Sequence, residues 1–97
     1  MLTFMCFLNW TEKAAMAAKD APKRHAGAKA LAEKLGGKLS SGYVTTGQYD
    51  VVLTLEMPDG DAMTKFVIAL MKTGNVRTTT VRAWSPQEFG KLAAAAP

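Results

Sequence analysis

The side chains best suited to chemistry in this chain are one carboxylate, two arginines and one histidine. Asp50 follows a predicted turn, where a carboxylate either accepts backbone N–H groups or serves as a ligand-orienting group or general base at a cleft mouth. Arg77 and Arg82 are five residues apart, which places them on opposite faces of a regular strand and prevents one shared clamp unless a bulge intervenes. One of them is expected to pair with Glu56 or Asp50, with anion binding as the alternative.

His25 is the only histidine and lies beside Arg24, early in a predicted helix. The residue four positions later is Lys29, so this helix offers His25 no acidic partner. A single histidine cannot build a metal site without other ligands, and no metal site is predicted. We expect an exposed or half-exposed helix residue, with a proton shuttle or an axial ligand as the alternative.

Aromatic side chains stand near the ends of the predicted strands. Tyr43 and Tyr49 flank the turn on either side, and cross-strand packing is the first interpretation, with ligand stacking as the alternative. Polar and aromatic groups thus converge near strand ends in an otherwise apolar chain, which is typical of a small-molecule site. No catalytic residue is assigned. The candidate ligand-binding residues are Trp10, His25, Tyr43, Tyr49, Asp50, Arg77, Arg82 and Trp84.

Composition indicates a folded domain of modest size. The 97 residues are 48% hydrophobic and 21% charged, which predicts one domain over residues 1–97. No apolar run reaches the roughly 20 residues that a membrane-spanning helix needs, and the apolar N-terminal segment lacks the basic residues of a signal peptide. Cys6 is the only cysteine, so no disulfide forms within the chain and a cytoplasmic location is expected.

Positive charge is concentrated in the first part of the chain. Residues 1–38 contain seven Lys or Arg and three Asp or Glu, so this part has the whole net charge of +4 and the remainder is neutral. A solvated helix face is the first interpretation, with an anion-binding or nucleic-acid surface as the alternative. No aromatic residue lies between Thr11 and Gly42, so a stacking platform for single strands is not supported there. Nucleic acid is not an expected partner.

Hydrophobic periodicity and turn residues predict the pattern strand-helix-strand, repeated twice. Asp20 is the expected cap of the first main helix, which Gly36 and Gly37 end, and Gly47 marks the hairpin turn. Ser85, Pro86 and Glu88 form the start signature of a C-terminal helix. The predicted strands are residues 2–9, 39–46, 49–57 and 75–84, and the main helices run from about 20 to 35 and from about 60 to 74.

This order predicts an α+β fold of the ferredoxin-like type. Two right-handed βαβ crossovers interleave as βαββαβ into a four-stranded antiparallel sheet, with strand order 4-1-3-2 and the helices on one face. The first strand is apolar on both faces, with Cys6 and Leu8 on one side and Met5 and Phe7 on the other. Because helices cover only one face, we expect a homodimer, sheet against sheet, with an α/β-barrel-like interface.

Three blocks of this sequence resemble the GYD domain family. They are residues 47–52 (GQYDVV), residues 20–24 with 30–37 (DAPKR and ALAEKLGG), and residues 74–78 with 82–85 (GNVRT and RAWS). The blocks span nearly the whole chain in the family's order. Most members have a charged residue at the position of Gln48, and many have phenylalanine at that of Trp84. The resemblance implies a small bacterial or archaeal protein related to the dimeric α/β-barrel group, and it implies no activity.

Three functions follow for a protein of this kind. The first is binding of a small organic ligand, anionic or aromatic, between the sheet and the main helices of a homodimer. The second, seen in similar barrel proteins, is an enzyme such as a cofactor-independent oxygenase or isomerase. The third is an oligomeric regulatory or structural assembly module. Haem-degrading relatives use an Asn, a Trp and a His, but His25 lies on the first helix rather than in the second half, and no cofactor is expected.

Overall fold

The computed structural model describes all of residues 1–97 and contains the predicted order of strands and helices. The strands are β1 (Leu2–Trp10), β2 (Lys38–Val44), β3 (Val51–Met57) and β4 (Val76–Ala83). The helices are α1 (Glu12–Met16), α2 (Ala21–Lys34), α3 (Gly60–Lys72) and α4 (Pro86–Ala95). A short 3-10 helix, Ala18–Asp20, joins α1 to α2.

The strands form one antiparallel sheet in the order β2-β3-β1-β4. This is the predicted order 4-1-3-2 counted from the opposite edge, so the ferredoxin-like fold class is confirmed. Helix α2 crosses from β1 to β2, and α3 crosses from β3 to β4, which places both on the same face of the sheet. A register shift between Leu39 and Ser41 interrupts the regular pairing of β2 with β3.

The connection between β2 and β3 is longer than the predicted two-residue turn. Strand β2 ends earlier and β3 begins later than expected, and the backbone N–H of Thr45 donates to the carbonyl of Asp50 at 2.8 Å to close the loop. The hydroxyl of Thr45 also donates to the carbonyl of Tyr49 at 2.7 Å. Gly47 has a φ of 104°, a left-handed conformation that a Cβ would strain. The loop therefore needs glycine at this position.

Strand register divides the sheet into two unlike faces. On the helix side, Phe4, Cys6 and Leu8 of β1 are buried against the side chains of β3 and of the two main helices. On the other side, Met5 and Phe7 are only half-buried. The alternation of side chains along a strand thus separates a packed core from an open apolar face, as the sequence predicted.

The core is apolar throughout and is centred beneath α3. Phe66 of α3 is 0% exposed, as are Leu55 and Met57 of β3. Cys6 is also fully buried, and burial raises the pKa of its thiol although the Thr80 hydroxyl, which donates to Sγ at 3.6 Å, opposes the change. The thiol is therefore a small apolar packing group and not a nucleophile.

Three of the four α-helices begin with a side-chain cap. Thr11 accepts from the N–H of Ala14, Asp59 accepts from the N–H of Ala62, and Ser85 forms a reciprocal capping box with Glu88. The prediction that Asp20 caps α2 by its side chain is wrong, because α2 continues directly from the preceding 3-10 helix and the Asp20 side chain makes no capping hydrogen bond.

Helix α4 projects from the sheet and buries none of its residues. Phe89 and Leu92 on this helix are 61% and 52% exposed, so its apolar side has no partner within the chain. The capping hydrogen bonds from Ser85 lower the pKa of the Glu88 carboxyl, since they favour its charged form. None of the helices in the structure combines the length and the apolar character needed to cross a membrane.

Candidate functional site

A cleft of about 460 Å³ lies between the sheet and the two main helices. Its volume is within the range of about 300–1,000 Å³ that is usual for small-molecule sites. The sheet supplies the floor, α2 one wall, and the C-terminal half of α3 the other. The lining is mostly apolar, and it includes Leu8, Trp10, Pro22, Arg24, His25, Gly27, Ala28, Leu31, Gly42, Tyr43, Val51, Leu70, Asn75 and Val76.

The cleft exists because α2 presents small side chains to the sheet. Ala28 and Ala32 are the only residues of α2 that are buried, and each contributes a single methyl group to the interior. Gly27 lines the cleft as well, and a Cβ built there would have no neighbouring heavy atom within 4 Å. Helix length and sheet register fix the position of α2, so the missing side-chain volume remains as space.

Trp10 and Arg24 form the polar end of the cleft. Trp10 lies opposite Val76 in the sheet, and the Arg24 guanidinium stacks over its ring at 5.5 Å from the centroid. Both terminal nitrogens of Arg24 donate to the carbonyl of Ala14 at 3.3 Å, and one also donates to the carbonyl of Ala17 at 3.1 Å. These contacts hold a permanent positive charge in the wall of the cleft.

His25 lies across the cleft edge, against β2. The ring approaches Gly42 so closely that a Cβ at that position would come within 2.6 Å of Cε1 and 2.8 Å of Nδ1. Gly42 therefore makes room for the imidazole from within β2, where it pairs with Leu53. His25 is exposed overall, as predicted, but its ring borders the cleft and can offer a hydrogen bond to a bound molecule.

A second, shallower hollow adjoins the cleft at Arg24 and Asn75, which line both. Its volume is about 380 Å³, and the side chains around it are mainly charged. Lys13, which also donates to the carbonyl of Thr73 at 3.2 Å, is part of this rim. The other residues that line the hollow are Ala17, Asp20 and Lys23.

Three of the candidate residues from the sequence line the cleft, namely Trp10, His25 and Tyr43. Tyr43 does so only at its edge, because it pairs with Val52 of the open face and is 69% exposed. Asp50 lies just outside it, and its carboxylate accepts the backbone N–H of Trp10 at 2.8 Å. The N–H of Asp50 donates to the carbonyl of Leu8 at 2.9 Å. Asp50 therefore holds the β2–β3 loop against the end of β1. Its carboxylate accepts a backbone N–H group, as expected, but that group belongs to β1 and not to the turn itself.

The other candidates lie away from the cleft. Tyr49 packs on Phe7 of the open sheet face, with ring centroids 4.8 Å apart, and does not pair with Tyr43. Arg77 pairs with Asn9 in the sheet and is exposed on that same open face. Tyr49 thus covers part of the apolar surface of β1, whereas Arg77 supplies a charge near its end.

Arg82 and Trp84 form a separate cluster at the opposite end of the sheet. The Arg82 guanidinium stacks on the rings of Phe4, at 5.7 Å, and Trp84, at 4.6 Å. It donates to the carbonyls of Thr3 and Ala83. The expected pairing of an arginine with Glu56 or Asp50 is not found for Arg82, whose hydrogen bonds go to these carbonyls. The prediction that Arg77 and Arg82 occupy opposite faces is confirmed, since Arg82 lies opposite Phe4 and Arg77 opposite Asn9.

Sequence reasoning missed two residues that shape the cleft, Arg24 and Gly42. Arg24 is one of seven cations in residues 1–38, and nothing in their spacing shows that the carbonyls of Ala14 and Ala17 lie within its reach. Nothing in the sequence marks Gly42 either, since the room that it leaves for the imidazole appears only when α2 packs against β2.

Few ionisable side chains line the cleft. Arg24 and His25 are its cationic or titratable nitrogen groups, and no carboxylate lines it. No group of three or more His, Cys, Asp or Glu residues is placed to hold a metal ion. An apolar cleft with positive charge at one end suits an organic molecule that is itself apolar over most of its surface.

Comparison with known proteins yields one family and several structures of the same fold. Residues 4–93 match the family model described as GYD domain. The structure of FFRP-DM1 aligns with a TM-score of 0.63 at 17% identity, over 87% of this chain and 100% of that one. TTHA0845 from Thermus thermophilus aligns with a TM-score of 0.57 at 20% identity, over 88% of this chain and 95% of that one.

A third similar structure is that of a transcriptional regulator, NMB0573 from Neisseria meningitidis, in complex with L-Met. It aligns with a TM-score of 0.61 at 22% identity, over 88% of this chain and 51% of that one. At these identities the similarity shows a common fold. No match was found among curated proteins.

Proposed function

The chain belongs to the GYD domain family, and on that premise we propose that it binds a small organic ligand, aromatic or anionic, in the cleft beside α2, as a cytoplasmic homodimer. The cleft itself is the observation that carries the proposal. It is large enough for a ligand, apolar over most of its lining, and cationic at one end through Arg24. A regulator of the same fold has been solved with L-Met, which supports small-molecule binding by this architecture.

The test is binding of a neutral aromatic probe, N-phenylnaphthylamine, followed by its fluorescence. Gly27→Leu adds a side chain at the wall of the cleft, from a position where a Cβ meets no heavy atom within 4 Å, so it obstructs the cleft and its Cβ meets no core residue. Gly90→Leu is the matched control, because Gly90 is also a helix glycine with open space around it, in α4. We expect Gly27→Leu to abolish the binding and Gly90→Leu to leave it intact. Equal binding by both variants would contradict the proposal.

The homodimer rests on the open face of the sheet. Met5, Phe7 and Val52 are half-buried there, and Val81 is 42% exposed, so a continuous apolar surface faces solvent in the single chain. A second copy that packs its own sheet on this surface is the simplest cover, since a two-fold interface joins like surfaces.

Light scattering tests the dimer. Wild-type protein is expected to have the mass of an even oligomer, and Val81→Glu to reduce it to a monomer, because a charge on the open face would be buried without a partner. Ile68→Glu is the control, since Ile68 is 44% exposed but lies on α3, on the other side of the sheet. A monomeric wild type at micromolar concentration would exclude the dimer.

An assembly module is the second candidate function, and helix α4 is the observation that favours it. The helix exposes Phe89 and Leu92 and buries no residue, which suits contact with another chain. The enzyme alternative has less support, because the carboxylate considered as a base, Asp50, is outside the cleft and is occupied by the Trp10 N–H. Oligomers larger than a dimer that persist in Gly27→Leu would favour assembly.

A further inference from the structure

The cleft and the adjoining basic hollow are two parts of one amphipathic compartment. They share Arg24 and Asn75, so a molecule longer than the cleft would extend past these residues into the hollow. The cleft has mainly apolar walls, whereas the hollow is lined mainly by charged and polar side chains.

The charge in the hollow is predominantly positive. Lys13, Lys23 and Arg24 line it, against the single carboxylate of Asp20. The hollow borders the first turn of α2, which supplies two of these cations, Lys23 and Arg24. Arg24 remains fixed by the carbonyls of Ala14 and Ala17, so its charge is in place before any ligand binds.

We propose, as a refinement that rests on the function proposed above, that the ligand is an amphiphilic organic anion. Its apolar body lies in the cleft against Trp10, and its anionic head lies in the hollow between Lys13 and Lys23. Burial of the apolar body provides the affinity, and the two lysines provide the preference for a negative head group. A neutral molecule with the same body fills the cleft but makes no contact that uses the hollow.

The test compares two fluorescent probes that share an aromatic body. Anilinonaphthalene sulfonate has an anionic head, and N-phenylnaphthylamine has none. Wild-type protein is expected to bind the anionic probe about tenfold more tightly, since each exposed charge contact gives a modest gain. The paired variant Lys13→Gln with Lys23→Gln is expected to remove that preference while binding of the neutral probe stays unchanged. Arg24 is left intact because it holds α1 in place.

The control is Lys19→Gln with Lys29→Gln, which removes the same charge from the same basic stretch but from residues that line neither space. It should keep the preference for the anionic probe. If both paired variants lower anionic binding equally, the effect is one of net charge and the proposed head-group site is wrong. If the neutral probe binds as tightly as the anionic one to wild type, the cleft function stands and the anionic class is wrong. Failure of both probes to bind would overturn both proposals.

Discussion

Helices α2 and α3 cover the same face of one sheet and have similar lengths, but they leave different interiors. Helix α3 buries Ala62, Met63 and Phe66, and the core beneath it is filled. Helix α2 buries only Ala28 and Ala32, and a cleft remains beside it. The fold alone therefore does not create the site. The size of the side chains on one helix determines which half of the fold is core and which half can accept a ligand.

The comparison is tested most strongly by truncation of the largest buried side chain of α3. Phe66→Ala removes a ring that is 0% exposed and is expected to lower the free energy of unfolding by about 3–5 kcal/mol. Leu31→Ala on α2 is expected to cost clearly less, because Leu31 is only half-buried beside the cleft. Urea denaturation measures both. Equal losses would mean that the two helices contribute equally to the core.

Gly42→Ala tests whether β2 is shaped to receive His25. The added Cβ would come within 2.6 Å of the imidazole and 2.9 Å of Leu53, so we expect a loss of about 1 kcal/mol from overpacking. In a His25→Ala background, Gly42→Ala should lower the free energy of unfolding by less, because only Leu53 then crowds the added Cβ. A double-mutant cycle with urea denaturation gives the difference, and a cycle without coupling would show that the contact is unimportant.

Gly27→Ala tests whether the cleft wall at α2 has room for a side chain, through its effect on the free energy of unfolding. A helix-interior glycine is less favourable than alanine by about 1 kcal/mol, and a Cβ at position 27 meets no other atom, so the variant should be more stable by that amount. Gly90→Ala in α4 has the same surroundings but lies outside the cleft, and it is the reference. A destabilised Gly27→Ala would mean that the cleft wall is more crowded than described.

Helix α4 differs from both α2 and α3, because none of its residues is buried. The pKa of Glu88 is lowered from 4.5 by Ser85, so its stabilisation of the α4 start is complete above that pH and is lost as the pH falls through the lowered pKa. Carbon chemical shifts followed from neutral pH to about pH 3 should show α4 fraying while α2 and α3 persist. Glu88→Gln should fray α4 less on acidification, and an α4 that is insensitive to acid would contradict the capping account.

The sequence was sufficient for the fold because its signals are local and consistent. The two apolar faces of β1, the stop at Gly36 and Gly37 and the start signature at Ser85 each predicted an element, and the order of elements left one topology. The Asp20 cap failed for a local reason, because the chain enters α2 from a 3-10 helix and the side chain is not needed there.

The site was only partly predictable. Residue type was enough to identify Trp10, His25 and Tyr43. The space that they border depends instead on Gly27, Ala28 and Gly42, which have little or no side chain to fill it. An empty volume depends on how two elements approach each other, which periodicity does not specify. Arg24 was missed for a similar reason, since its carbonyl partners on α1 come into reach only in the folded chain.

The central claim is that ligands bind beside α2 and not on the other apolar surfaces of the molecule. The most direct test is to map N-phenylnaphthylamine onto the protein by NMR. The account predicts that the Trp10 indole and the amides of Gly27 and Gly42 shift, while Val81 on the open face and Phe89 on α4 do not. Shifts confined to Val81 or Phe89 would contradict it, because the cleft would then be unoccupied space and the open surfaces the binding sites.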